Sequence, residues 1–157
     1  MKKQPVTLAP GDPAPDFELL TETGEPLKLS SLRGKKVVLY FYPKADTPGC
    51  TREACDFRDH LPNVSRKGAV VLGVSPDKPA SQAKFKQKYQ LPFSLLSDTG
   101  HEAAAAYGVW KEKTMYGKTY MGIERTTFVI DEQGKIARIF PKVRVDGHAA
   151  EVLAALG

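Results

Sequence analysis

The sequence predicts an alternating α/β domain, and three observations carry that prediction. Two apolar runs, residues 37–42 and 69–75, do not alternate with polar residues, which marks strands buried on both faces, as in a parallel sheet. Segments with helical spacing or helix-start signals lie between and after them. The chain closes with two strand-like runs around Glu132-Gln133-Gly134 and a final apolar segment, a hairpin followed by a helix. At 157 residues the chain suits one domain, residues 1–157, with a real hydrophobic core. No repeat and no long linker divides it.

In order, residues 16–21 and 26–29 predict a strand pair around Glu22-Thr23-Gly24-Glu25. Residues 37–42 form a central strand, and a helix carrying both cysteines follows it. Residues 69–75 form a second central strand. Pro79 opens an amphipathic helix over 79–89, since proline suits a first helical turn. Residues 94–96 read as a short strand and 101–107 as a short Ala-rich helix. Residues 125–131 and 135–140 form the closing hairpin, and 147–156 the last helix. The Gly-, Tyr- and Met-rich stretch 111–122 carries no pattern that assigns it an element.

The cysteine helix has a clear start. Thr47 suits the N-cap, Pro48 the first helical position, where its missing N–H would be unpaired anyway, and Gly49 follows. Cys50 then falls in the first turn, beside unpaired backbone N–H groups and the positive end of the helix dipole. Both favour thiolate over thiol. The spacing of Ala54, Phe57, Arg58 and Leu61 sets one helical face until Pro62, which is expected to end the helix.

Cys55 lies five positions after Cys50. Five residues of helix rise about 7.5 Å and place the two Cα atoms about 8.6 Å apart. A disulfide needs Cα atoms within about 7 Å. The pair therefore cannot bridge while the helix is intact, which argues for a switchable pair over a permanent bridge.

Pro43-x-x-x-Thr47-x-x-Cys50 resembles the active-site signature of the peroxiredoxins. Thr47-Pro48-Gly49-Cys50-Thr51 with Cys55 resembles their Q-type branch, the bacterioferritin comigratory proteins. Gly11-Asp12-x-Ala14-Pro15-x-Phe17, Val71-Leu72-Gly73-Val74-Ser75, Leu95-Leu96-Ser97-Asp98, Tyr107-Gly108-Val109-Trp110 and Arg125-Thr126-Thr127-Phe128-Val129-Ile130-Asp131 extend the resemblance through most of the chain. It implies a thioredoxin-like fold with an N-terminal extension and an inserted helix, in keeping with the element order above. It also implies a thiol peroxidase acting on hydrogen peroxide and organic hydroperoxides. Cys50 would be the peroxidatic cysteine and Cys55 the resolving one. Thr47 and Arg125 would hydrogen-bond the thiolate and the peroxide oxygens, and Pro43 would shield the site from water. Thioredoxin or a similar dithiol would be the reductant, with no cofactor and a monomeric chain. Some relatives carry the resolving cysteine on a later helix, and this chain has none there.

The chemistry asks for these residue types in its own right. Thiolate attack on an O–O bond moves charge onto the leaving oxygen, so donors aimed at that oxygen act mainly in the transition state. The N–H groups of Gly49 and Cys50, the Thr47 hydroxyl and the Arg125 guanidinium are suitable donors. Arginine stays charged when desolvated and bridges two acceptors. The product is a sulfenic acid, which condenses with a thiol to a disulfide.

Plainer readings stand beside these. Cys50 and Cys55 are also readable as small buried hydrophobes, Thr47 as an N-cap alone, Pro43 as a strand end, and Arg125 as an ion-pair partner of Glu124 or Glu132. A thioredoxin-type oxidoreductase would use the same cysteines, but the C-x-x-C spacing is missing and Thr126 stands where such proteins carry proline. A non-enzymatic redox sensor is the other alternative.

The net charge of +5 invites a nucleic-acid reading. The basic residues are scattered, however, and Lys84, Lys86 and Lys88 alternate with Phe85, Gln87 and Tyr89 on a solvated helix. His60, His101 and His148 match no zinc-site spacing with the cysteines. There is no apolar run long enough for a membrane span, and the charged start, residues 1–6, does not resemble a signal peptide. Two cysteines make no disulfide framework. The expected setting is a reducing cytoplasm.

Overall fold

The computed structural model describes residues 7–157; the charged start at residues 1–6, read above as no signal peptide, lies outside them. Strands β1 (Glu18–Thr21), β2 (Pro26–Lys28), β3 (Lys36–Phe41), β4 (Ala69–Ser75), β5 (Ser94–Ser97), β8 (Thr126–Ile130) and β9 (Ile136–Phe140) form one sheet in the order β2-β1-β5-β4-β3-β8-β9. β3, β4 and β5 are parallel, as the unbroken apolar runs of β3 and β4 predict for those two, and β8 and β9 continue the sheet antiparallel. The helices are α1 (Pro48–Arg66), α2 (Pro79–Tyr89), α3 (Glu102–Ala106) and α4 (His148–Ala155).

Because side chains alternate along a strand, β3 feeds two separate cores. Val38, Tyr40 and Tyr42 pack with Cys50, Ala54 and Phe57 of α1, Phe85 of α2 and Val152 of α4. Val37, Leu39 and Phe41 pack on the opposite face with Ala103 and Ala104 of α3, Tyr107 and Phe128. Tyr40 stacks on Phe57 at 4.8 Å and lies across Gly73 of β4. A Cβ at Gly73 would stand 2.8 Å from the Tyr40 ring and hydroxyl, so only glycine fits there.

The structure departs from the sequence expectation at Pro62 and gives the unassigned stretch two strands. Pro62 does not end α1, which continues to Arg66. Pro62 is exposed, so the carbonyl that loses its partner can be met by water, and the next turn buries Val64 fully. The stop comes at Lys67-Gly68, where Gly68 takes a left-handed φ of 75° and both N–H groups bond back to Val64 and Ser65. The unassigned stretch forms a second, two-stranded sheet, β6 (Trp110–Met115) with β7 (Lys118–Ile123). Its turn, Tyr116-Gly117, holds φ of 52° and 74°, the positive pair of a type I′ hairpin. Tyrosine seldom occupies the first such position, and both strands are largely exposed, so neither turn chemistry nor alternation marked the hairpin.

The first strand also begins later than expected, at Glu18 rather than residue 16. Asp16 instead accepts the backbone N–H groups of Phe17 and Ser30, a turn-type use of a short carboxylate. Among the described residues no helix is long and apolar enough to cross a membrane.

Candidate active site

The register of the sheet builds the site. Phe41 of β3 pairs with Thr126 of β8, so Arg125, one residue before β8, lies beside the point where the chain leaves β3. From there residues 43–47 turn back and α1 begins at Pro48. Asp46 takes a left-handed φ of 59° in this turn.

Thr47 is extended (φ −95°, ψ 157°) and occupies the N-cap position, but its side chain makes no cap bond. Its hydroxyl donates instead to the Lys44 carbonyl at 2.8 Å. That tightens the turn and leaves the first-turn N–H groups of Gly49 and Cys50 uncapped by Thr47 and open to an anionic oxygen. Pro43 and Thr47 are both half-buried on this turn.

Cys50 is 1% exposed. Its sulfur accepts a hydrogen bond from Arg125 Nη2 at 3.2 Å. The other guanidinium nitrogen, Nη1, donates to Glu53 Oε1 at 2.6 Å. Glu53 follows Cys50 by three residues and so shares its helix face. A Cβ at position 49 would approach Arg125 Nη2 to 3.3 Å, so glycine there gives the guanidinium room.

Glu53 is as buried as Cys50, and its second oxygen has no partner among the described residues. Burial pushes its carboxyl up to about 7 against the pull of the Arg125 guanidinium. Burial also works against the Arg125 charge, but Glu53 and Cys50 outweigh it and hold Arg125 above its ordinary value. Arg125 is thus a fixed cation shared between a carboxyl and a sulfur. It pairs with neither Glu124, which binds Lys111 at 2.7 Å, nor Glu132.

Cys55 lies on the same unbroken helix, partly buried, and both cysteines are free thiols. Burial pushes the Cys55 thiol up; Arg58 opposes that shift and the Asp59 and Asp56 charges add to it. The structure therefore brings Cys50 and Arg125 into contact and sets Pro43 and Thr47 on the adjoining turn. It leaves Cys55 on another part of the helix surface. Glu53 is the site residue that motif reading missed. Its three-residue spacing from Cys50 was the available signal.

Comparison with known proteins places the whole chain in a family. The AhpC/TSA family matches residues 10–139. Peroxiredoxin Bcp of Bacillus subtilis is 52% identical over 151 residues, covering 96% of each chain. Among solved structures, peroxiredoxin Q of Xanthomonas campestris has a TM-score of 0.86 at 44% identity over 89% of each chain. A PrxQ of Xylella fastidiosa has a TM-score of 0.91 at 37% identity over 96% of each chain. The chain belongs to the AhpC/TSA family and, within it, to the Bcp/PrxQ peroxiredoxins, enzymes of the thioredoxin fold.

Proposed function

We propose that this peroxiredoxin reduces hydrogen peroxide and organic hydroperoxides through Cys50 and is recycled through Cys55. The observation that carries the reading is the Arg125 guanidinium on the buried Cys50 sulfur at 3.2 Å, next to uncapped helix N–H groups. The Cys50 thiolate attacks the distal peroxide oxygen, the O–O bond breaks, and the alcohol or water leaves with a proton. Arg125 and the first-turn N–H groups stabilise the charge that develops on the leaving oxygen. Cys50 is left as a sulfenic acid. The Cys55 thiol condenses with it, releasing water and forming the disulfide. Thioredoxin or a similar dithiol then reduces that disulfide and is itself oxidised.

The structure of the Xanthomonas campestris bacterioferritin comigratory protein, 43% identical, was described in connection with alkyl peroxide reduction, which supports including organic hydroperoxides. We place the chain as one domain acting as a monomer in the cytoplasm, without a bound cofactor or metal. The test is peroxide consumption coupled to thioredoxin, thioredoxin reductase and NADPH. Turnover supports the peroxidase. Insulin reduction without peroxide turnover points to an oxidoreductase, and neither activity points to a redox sensor.

A further inference from the structure

A closed chain of hydrogen bonds brackets Pro43. Tyr42, on one side of it, is fully buried and donates its hydroxyl to Gln82 Oε1 at 2.6 Å. Gln82 of α2 is also fully buried and uses both amide protons, one on Ser75 Oγ and one on the Leu96 carbonyl, each at 2.8 Å. Ser75 Oγ donates to Asp77 Oδ2 at 2.6 Å. The same carboxylate oxygen accepts the N–H of Ala45 at 2.7 Å, on the other side of Pro43 and Lys44.

From Tyr42 through Gln82 and Ser75 the donors run toward Asp77, so each bond polarises the next, and the two bonds to the carboxylate, from Ser75 and from Ala45, are charge-assisted. Its two ends are backbone neighbours of one short turn. A second tie lies beside it, where Asp46 accepts from Lys88 at 2.9 Å and from Tyr89 at 2.8 Å, both on α2. The turn that carries Pro43 and Thr47 is therefore held from α2 and from the end of β4.

We propose that Asp77 and Gln82 are positioning residues for the peroxide reaction, a role that rests on the peroxidase reading above. Neither touches the sulfur. They hold the turn so that Pro43, Thr47 and the first N–H groups of α1 stay in place around Cys50. Holding that turn also opposes disulfide formation, because the first turns of α1 must unwind before Cys50 can reach Cys55. Loosening it should therefore slow peroxide attack and speed the disulfide step. Damage to general packing would not give this opposite pair of effects.

The experiment measures three rates on the full chain. They are Cys50 oxidation by hydrogen peroxide, Cys50 alkylation by iodoacetamide with Cys55 changed to Ser, and disulfide formation after a single peroxide addition. Asp77→Ala should slow the peroxide step by on the order of ten- to a hundred-fold, the scale of a small misplacement in a reacting site. Alkylation should be unchanged or faster, and disulfide formation faster. Asp77→Asn retains an acceptor oxygen and should restore most of the peroxide rate. Tyr42→Phe keeps the ring contacts and removes only the first bond, so it gives the same pattern more weakly and serves if Asp77→Ala does not fold. A peroxide rate unmoved by Asp77→Ala, or peroxide and alkylation rates that fall together, overturns the proposal. A wild-type protein that reacts no faster with peroxide than with iodoacetamide overturns the peroxidase reading, and the proposal with it.

Discussion

Glu53 holds Arg125 through Nη1 at 2.6 Å, and this leaves Nη2 directed at the Cys50 sulfur at 3.2 Å. The fork is the reason for arginine at this position. Lysine would keep the charge but has no second nitrogen in fixed geometry. Arg125→Lys should therefore slow the reaction of Cys50 with hydrogen peroxide by about a hundred-fold, as for loss of a transition-state donor. Competition kinetics against a reference peroxidase measure this directly. A wild-type rate in the variant would remove Arg125 from the reaction.

Glu53 also makes the site sensitive to pH. Burial raises its carboxyl from an ordinary 4.5 to about 7, so the charge facing Arg125 changes across neutrality. The peroxide rate should show a step near that pH, and Glu53→Gln should remove it. The stability consequence has a definite sign. Between 4.5 and about 7 the folded state binds more protons at Glu53 than the unfolded chain, so its contribution to stability falls as pH rises through that window. Thermal melts of Glu53→Gln should lack this slope, and an identical slope in the variant would assign it elsewhere.

His148 carries the opposite slope. It is 1% exposed and lies between the Thr127 hydroxyl and the Glu151 carboxylate, each at 2.7 Å. A carboxylate only accepts, so Nδ1 carries the proton and Nε2 accepts from Thr127. Burial holds the imidazole below its ordinary 6.5; Glu151 works against that and Arg125 adds to it. Neutral His148 therefore contributes stability that is complete above pH 6.5 and is lost as pH falls toward the lowered folded value. His148→Gln should flatten the acid side of the stability profile. If the variant loses stability with falling pH just as wild type does, His148 is not the group responsible.

Cys55→Ser separates the two halves of the proposed cycle. The variant should consume about one equivalent of peroxide per chain and retain a sulfenic acid, because no thiol remains to condense with it. Steady turnover with thioredoxin should be lost, as read by NADPH consumption and by dimedone labelling of Cys50. Normal cycling in this variant would end the resolving role of Cys55.

Parts of this molecule were legible in the sequence because burial and backbone chemistry leave local marks. The unbroken apolar runs of β3 and β4 have no polar alternation because both faces are covered. Thr47-Pro48 marked the start of α1 because a helix tolerates proline only in its first turn or at a cost. Pro62 misled for the same reason, since tertiary packing of Val64 outweighs a missing hydrogen bond on an exposed face. The β6–β7 hairpin is exposed on both sides and has no periodicity to read. Glu53 belongs to no motif read in the sequence. Its three-residue spacing from Cys50 puts it on the Cys50 face, but only the return of β8 alongside β3 brings Arg125 over it, a pairing between residues 72 positions apart that neither local segment reveals.

The last prediction concerns how far α1 opens on oxidation. Its first turns must unwind, since Cys50 and Cys55 stand about 8.6 Å apart in a regular helix and a disulfide needs about 7 Å or less. Two anchors set the far limit. Phe57 stacks on Tyr40 at 4.8 Å and meets His148 edge-on at 5.9 Å. Arg58 Nη1 donates to the Tyr89 carbonyl at the end of α2 at 2.7 Å, a favourable place for a cation. Unwinding beyond Phe57 would expose a fully buried ring and break that tie. Amide hydrogen exchange on the reduced and oxidised forms should therefore differ over residues 47–56 and agree from 57 to 66. Far-UV circular dichroism should lose only the corresponding small helical signal. The opened segment would leave the disulfide accessible to a dithiol reductant. Lost protection running through to Arg66 would mean that Phe57 and Arg58 do not anchor the helix. Unchanged protection throughout, with the Cys50–Cys55 bond verified by mass spectrometry, would mean that the bond forms without unwinding.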